Sequence, residues 1–265
     1  MSLFLFGKIG ATIGMVLALS LVAERVSPRV AGLLSGYPLG AAIALFFIGL
    51  EISPEFAGRS AVYTLAGLAA SQAFVYGYFL ASRRIAGRGI LGASAAGLVG
   101  YFASAGLLRL VTFSRALAVF TAVASMVLFV YLFRGIRDVT ITRSVRLTPL
   151  VLFLRAALAA GIIVAITAAA GAVGPAWAGL FSAFPTALFP LMLIVHITYD
   201  KAHVHTIIKN FPLGIGSLIA YGISVSYLYP AWGVGWGTVA AFAIATVYLL
   251  LYGAVVARRS RTRRP

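Results

Sequence analysis

The sequence predicts an all-α polytopic membrane protein, and three observations carry that prediction. Of the 265 residues, 62% are hydrophobic and 10% are charged, whereas a soluble globular chain carries about 25% charged residues. The charges lie in short clusters between apolar runs of about 20 residues, the length of a helix that crosses a bilayer. The runs are continuous and not alternating, which favours helices over the strands of a membrane barrel.

Nine runs are predicted to span the bilayer. In chain order they cover residues 3–23, 30–50, 60–81, 90–110, 114–133, 148–170, 176–198, 208–229 and 234–256. The first is interpreted as a retained span, because it lacks the basic segment and the small-residue cleavage site of a signal peptide. The longest connector runs from Arg134 to Arg146, so we expect no soluble domain between the spans.

Basic residues set the predicted orientation. Of the 21 lysines and arginines, sixteen fall on one side of the nine spans, and three, Arg59, Arg109 and Arg115, fall on the other. Because these residues collect in cytoplasmic loops, we expect an external N-terminus and a cytoplasmic C-terminus in a bacterial-type inner membrane. The net charge of +16 is thereby explained by topology, and nucleic acid is not an expected partner.

An internal repeat relates the two halves of the chain. Residues 28–38 read PRVAGLLSGYP and residues 175–185 read PAWAGLFSAFP, with six of eleven positions identical. The same offset, from position 28 to position 175, also places Lys8 on Arg155. Five spans separate equivalent helices, and an odd number gives the two units opposite orientations. Inverted repeats are a recurring architecture of secondary transporters.

The repeat divides the chain into four parts. Residues 1–112 form the first membrane repeat, and residues 113–147 form a linker helix with a basic cytoplasmic loop. Residues 148–257 form the second repeat, and residues 258–265 form a basic cytoplasmic tail. We therefore expect two four-helix units of opposite orientation around one linker helix.

The motif Ser-x-aromatic-Pro in the second and seventh spans is the strongest candidate for a binding site. Proline removes a backbone donor and clashes with the preceding turn, so it interrupts a helix. Discontinuous helices at equivalent places of two halves indicate the substrate site of a transporter. The alternative is that the prolines only kink their helices. The predicted substrate-binding residues of this motif are Ser35, Tyr37, Pro38, Ser182, Phe184, Pro185 and Thr186.

Two cations within spans, Lys8 and Arg155, are further substrate-binding candidates. A cation at membrane depth is energetically costly and suggests function. Two such cations related by the repeat would favour an anionic substrate such as a carboxylate or phosphate. The alternative is that both side chains extend to the nearby interface.

Three further residues are candidates for ion coupling or gating. Glu51 and Asp200 end the second and seventh spans, and His196 lies near the end of the seventh. The alternatives are solvated helix ends for the two acids and a packed, hydrogen-bonded ring for His196. His203 and His205 could hold a metal with Asp200, but we expect them to be solvated. No metal or other cofactor is predicted, and the chain has no cysteine.

The stretch AGLFSAFPTAL, Ala178 to Leu188, resembles the AGLxxxFPT stretch of GlpM-like small bacterial inner-membrane proteins. Those proteins are about one repeat long, so the resemblance implies that this chain is a fused double version of such a unit. Two departures are visible. His196 lies later than the histidine of that family, and Leu39 replaces the threonine that follows the proline.

The predicted function is a secondary transporter or exporter that moves a small anionic metabolite by alternating access. One alternative is a flippase for a lipid-linked phosphate, and another is a membrane scaffold or enzyme subunit that transports nothing. An enzyme is not expected, because the sequence carries no nucleophile, metalloprotease or phosphate-loop motif. The expected partners are the lipid bilayer and the solute, and self-association into a homo-oligomer is left open.

Overall fold

The computed structural model describes residues 5–14, 33–85, 89–139 and 148–261, without the side chains at 151, 155 and 254–261. Within these ranges the chain is helical, with turns and no strand. The all-α fold class is therefore confirmed for the described residues. The helices are α1 (5–14), α2 (Leu39–Glu51), α3 (Pro54–Arg84), α4 (Ile90–Arg109), α5 (Arg115–Phe133), α6 (Pro149–Ser182), α7 (Leu188–Thr198) and α8 (Lys201–Arg261).

Six stretches of the described chain are long and apolar enough to cross a membrane. They are Leu33–Glu51, Pro54–Arg84, Ile90–Arg109, Arg115–Phe133, Leu152–Ser182 and Lys201–Gly253, and the shorter Leu188–Thr198 is also apolar. Nine were predicted. The first predicted span lies mostly outside the described residues, the seventh is broken in its middle, and the last two belong to one element. The nine-span topology therefore stays a prediction.

Two glycines divide the longest elements. Gly174 in α6 has φ 78° and ψ 170°, and Gly233 in α8 has φ 74° and ψ 173°. This backbone conformation is essentially restricted to glycine. At 61 residues, an uninterrupted α8 would be about 90 Å long, three times the thickness of a bilayer core. The interruption at Gly233 therefore fits the predicted membrane location.

The chain reverses direction at both glycines. In α8 the Ser217 hydroxyl donates to the carbonyl of Ala245 over 3.1 Å, and the ring centroids of Tyr221 and Phe242 lie 5.1 Å apart. Both pairs are nearly symmetric about Gly233, so the two parts of α8 run antiparallel. In α6, segments on the two sides of Gly174 line one groove, which indicates the same reversal.

Helices α3 and α8, which lie at equivalent positions of the predicted repeat, begin in the same way. The Ser53 hydroxyl caps α3 by accepting from the amide of Phe56 over 3.1 Å. The Asp200 carboxylate caps α8 by accepting from the amide of Ala202 over 2.8 Å. Such caps satisfy amides that lack a partner in the first turn. The offset of the predicted repeat places Ser53 on Asp200, so the two caps are at equivalent positions.

Helix α3 is the centre of the bundle. It packs against α2, α4, α5, α6 and α8. In its most apolar stretch of 18 residues, 67% of the residues are buried, compared with 22% in the equivalent stretches of α4 and α5. Helices α4 and α5 therefore present most of their apolar side chains outward, as expected for lipid-facing helices. Because α3 belongs to the first predicted repeat and α6 and α8 to the second, the two halves interlock.

Candidate functional site

Two interruptions lie at the predicted motifs. We call residues 36–38 the first break and residues 183–187 the second break, since neither stretch is helical. In each break the amide after the proline turns back to the carbonyl before it, from Leu39 to Tyr37 over 2.8 Å and from Thr186 to Phe184 over 2.7 Å. Helix α2 begins after the first break and α7 after the second.

The two breaks share one hydrogen-bond pattern at the offset of the predicted repeat. Four backbone hydrogen bonds occur at both breaks and a fifth at the end of both following helices, and the donor–acceptor distances are closely similar in every pair. The pairs, donor first, are Gly36–Leu33 with Ala183–Leu180, Tyr37–Leu34 with Phe184–Phe181, Leu39–Tyr37 with Thr186–Phe184, Ala42–Pro38 with Phe189–Pro185, and Ile52–Ile48 with Tyr199–Val195. The backbone of the two motifs is therefore alike, as their sequences are.

The breaks lie against each other. A Cβ atom placed on Gly40, in the first turn of α2, would overlap the Thr186 hydroxyl of the second break. Each break also packs on a glycine of a neighbouring helix. Gly36 approaches the backbone of Gly214 in α8, and a Cβ atom on Gly67 in α3 would lie 2.7 Å from that of Ala183. The offset of the repeat places Gly67 on Gly214, so these two contacts are equivalent as well.

A small cavity lies where the breaks meet, and we call it the break cavity. The volume of the cavity is about 20 Å³. A buried water needs roughly 10–15 Å³. The cavity therefore holds one water-sized group. Its lining includes the predicted residues Ser35, Tyr37, Ser182, Phe184, Pro185 and Thr186, with Gly40, Ala41, Leu68, Ser71, Ala183, Ala187, Phe211 and Leu218.

Two helix N-termini point hydrogen-bond donors at this cavity. Among the described residues, none accepts from the amides of Gly40 and Ala41 in α2, or from those of Ala187 and Leu188 before and at the start of α7. Neither helix has a side-chain cap or an acid in its first turn. Free amides and the helix dipole together favour an anion.

Thr186 adds an unsatisfied hydroxyl to the same cavity. Its side chain is 2% exposed, and its Oγ1 atom has no hydrogen-bond partner among the described residues. A buried hydroxyl without a partner costs about 1–3 kcal/mol. Such a group in a native structure calls for an explanation, for example strain, a functional role, or a bound water or ion. By contrast, the hydroxyl of Ser182 donates to the Ala178 carbonyl over 2.7 Å.

Three hydroxyls from α3 and α4 bond carbonyls of the second break and of the last turn of α6 before it. Thr64 donates to Gly179 over 3.0 Å, Ser71 donates to Ala183, and Tyr101 donates to Leu180. Backbone groups released by a break at membrane depth need such partners. The sequence interpretation missed these three side chains. The even spacing of Thr64, Ser71 and Tyr78, one polar stripe along an apolar helix, was the signal for two of them.

The two aromatic residues of the motif have different partners. The Tyr37 hydroxyl lies 2.7 Å from the Thr246 hydroxyl of α8. Phe184 lies between the rings of Tyr101 and Phe74, with centroid distances of 4.9 Å and 5.7 Å. The first break is therefore joined to α8, and the second to α3 and α4.

Lys8 is not at the break cavity. Its ammonium lies 2.8 Å from the Glu51 carboxylate and 5.8 Å from the centre of the Phe47 ring. The Lys8 side chain is 6% exposed and that of Glu51 is 25% exposed. The predicted binding cation and the predicted gating acid thus form one ion pair between α1 and α2. The side chain of Arg155 lies outside the described residues.

The other two coupling candidates lie near the far end of α7. His196 is 3% exposed, and its Nδ1 atom lies 2.8 Å from the Tyr78 hydroxyl of α3. Asp200 caps α8 and also lies 2.8 Å from Nδ1 of His203. Burial raises the pKa of the Asp200 carboxyl, but hydrogen bonds from His203 and Ala202 outweigh burial and lower that pKa. No metal cluster forms among the described residues.

An apolar groove of about 470 Å³ lies beside the second break, and we call it the side groove. Phe102 of α4 and Leu158 of α6 lie at its rim, and their exposed fractions are 53% and 37%. Phe184 forms its inner end. Among the described residues that line it, Tyr101 is the only one whose side chain has a polar atom. The lining is Leu98, Tyr101, Phe102, Leu158, Ile162, Ala165, Ile166, Ala169, Phe181, Phe184 and Phe189.

Comparison with known proteins assigns no family. No protein-family model, curated protein or solved structure matches the chain. The resemblance to GlpM-like proteins therefore stays a prediction, and the function has to be argued from the site itself.

Proposed function

We propose that this chain is a secondary transporter or exporter that moves a small anionic solute across a bacterial-type inner membrane. The observation that carries the proposal is the meeting of two helix N-termini at the break cavity. The free amides of Gly40, Ala41 and Ala187 belong to residues that line it, as does the hydroxyl of Thr186, and neither helix carries an acid in its first turn. This arrangement is complementary to one negative charge.

The proposed mechanism is alternating access between two inverted repeats. The repeated hydrogen bonds of the two breaks support a repeat, as do the equivalent helix caps at Ser53 and Asp200. The reversals at Gly174 and Gly233 support separate spans on either side of each glycine. In our proposal the N-terminus is outside and the C-terminus is cytoplasmic.

The described conformation is closed around the site. The break cavity has room for one water-sized group, and the contact between Gly40 and Thr186 closes it. We infer that a solute enters with its charged group between the breaks after this contact opens. Ser71 anchors the second break to α3, and Thr64 and Tyr101 hold the last turn of α6 before it, while Tyr37 joins the first break to α8. Opening the site therefore requires one break to move away from the other.

Exchange assays in proteoliposomes test this function. The full-length chain is reconstituted, and uptake of labelled chloride, nitrate, phosphate and succinate is measured against the same unlabelled anion inside. Replacing both break prolines, Pro38→Ala with Pro185→Ala, should restore the helices and abolish exchange while the protein stays folded. The matched control is Pro230→Ala, which removes a proline inside α8 and should leave exchange intact. Full exchange by the double variant would contradict the proposal, as would no exchange of any probe by the wild type.

The side groove favours a second candidate, a flippase for a lipid-linked phosphate. Its apolar lining could hold an acyl or isoprenoid chain while the phosphate lies near Phe184 and the second break. Replacing Ala165 with Trp would fill the groove. If the substrate is a lipid, this change should stop translocation of a lipid-linked phosphate reporter. If the substrate is a small solute, the change should leave anion exchange intact.

A further inference from the structure

All three histidines of the chain lie at one end of the bundle. His196 is in the last turn of α7, while His203 and His205 are in the first turns of α8. His205 bonds the Ser82 hydroxyl over 2.8 Å and packs on the Phe79 ring. His203 bonds the exposed Asp200. His196 alone belongs to the helix whose other end forms the break cavity.

The His196 ring is held on one side and open on the other. Its Nδ1 atom bonds the Tyr78 hydroxyl, and Tyr78 is fully buried. Its Nε2 atom makes no hydrogen bond with the described residues. Asp200 and Lys201, which follow α7 in the chain, are charged groups of opposite sign that act on the ring. The remaining groups on the packed elements are Arg83 and Ser82 of α3, Tyr199 of the connecting turn, and His203 and His205 of α8.

We propose that His196 takes up a proton when an anion binds at the break cavity, which makes the chain a proton-coupled anion carrier. This inference rests on the function proposed above. Helix α7 links the two sites directly. Its N-terminal end faces the cavity, and His196 lies at its C-terminal end. A helix dipole favours an anion at the first end and a cation at the second.

The expected coupling follows from the length of the helix. Thr186 and His196 are about 15 Å apart along a helix, given its rise per residue. The attraction between opposite unit charges at that distance, with an effective dielectric constant of about 20, corresponds to about six-fold tighter binding. By linkage, the bound anion favours the proton on His196 by the same factor. The proton occupies Nε2 and is released when the anion leaves.

Calorimetry of the purified full-length protein tests the coupling without a transport assay. Binding of chloride, nitrate, phosphate and succinate is measured at pH 6 and pH 8. Each measurement is repeated in two buffers of different ionisation enthalpy, and the difference in heat gives the number of protons taken up per anion. The wild type should take up a fraction of a proton per anion and bind more weakly at pH 8, by up to about six-fold. His196→Asn should bind the anion with no pH dependence beyond that of the probe.

The controls separate the possible failures. His196→Asn keeps an amide near the Nδ1 position, and His196→Gln keeps one near the Nε2 position. If one of the two variants fails to fold, the other still tests the coupling. His205→Asn should retain the proton uptake of the wild type. Proton uptake that persists in both His196 variants would overturn the coupling but leave the anion site intact. If none of the four anions binds to the wild type, the proposed function fails and the coupling fails with it.

Discussion

Adding one methyl group at Gly40 tests whether the two breaks touch. In Gly40→Ala the new Cβ atom would overlap Thr186 Oγ1 and lie 3.3 Å from Thr186 Cβ. Thr186 is 2% exposed, so it has little room to move, and the breaks would be pushed apart. Overpacking of this kind costs about 1–3 kcal/mol, against a gain of up to about 1 kcal/mol from replacing glycine in a helix. We therefore expect a net loss of about 1–2 kcal/mol.

A double-mutant cycle makes the test specific. Thr186→Ala removes the overlapping atom, and that atom has no partner to lose. The double variant should recover at least about 1 kcal/mol of the loss. Gly161→Ala is the control, because no described atom lies within 4 Å of its Cβ position in α6. Unfolding is followed by circular dichroism in detergent micelles. If Gly40→Ala behaves like Gly161→Ala, or if the cycle shows no interaction energy, the breaks are not in contact.

Two further predictions concern the fold and the ion pair. Gly233→Ala should destabilise the protein by about 1–3 kcal/mol because alanine cannot adopt this backbone conformation without strain. Gly235→Ala, two residues later with an open Cβ position, should be neutral or stabilising, and equal unfolding midpoints for the two variants would count against the reversal. Glu51→Gln should cost about 1–3 kcal/mol by leaving the buried charge of Lys8 unpaired. The double variant Lys8→Met with Glu51→Met should recover most of the lost stability. If thermal unfolding shows no recovery, the unpaired charge of Lys8 is not the cause of the loss.

Much of the candidate site could be predicted from the sequence. Two copies of one motif, each with a serine, an aromatic residue and a proline, indicate two equivalent interruptions, because proline cannot continue a helix. Six of the seven predicted motif residues line one cavity, and Pro38 forms the first break itself. The substrate-binding role of these residues stays a prediction. Contacts across the bundle could not be predicted, since the overlap of Gly40 with Thr186 joins residues far apart in the chain.

What the sequence by itself determined is the class of protein and the places where helices stop. Long apolar runs with clustered charges permit only helices in a membrane, and proline and glycine interrupt them for local reasons. Only the tertiary structure decided which charges meet and which hydroxyls are left without a partner. Lys8 is paired with Glu51, and the Ser71 hydroxyl donates to the Ala183 carbonyl. Among the described hydroxyls that line the cavity, that of Thr186 is the one left without a partner. These outcomes depend on distances between helices, which neither hydropathy nor residue spacing contains.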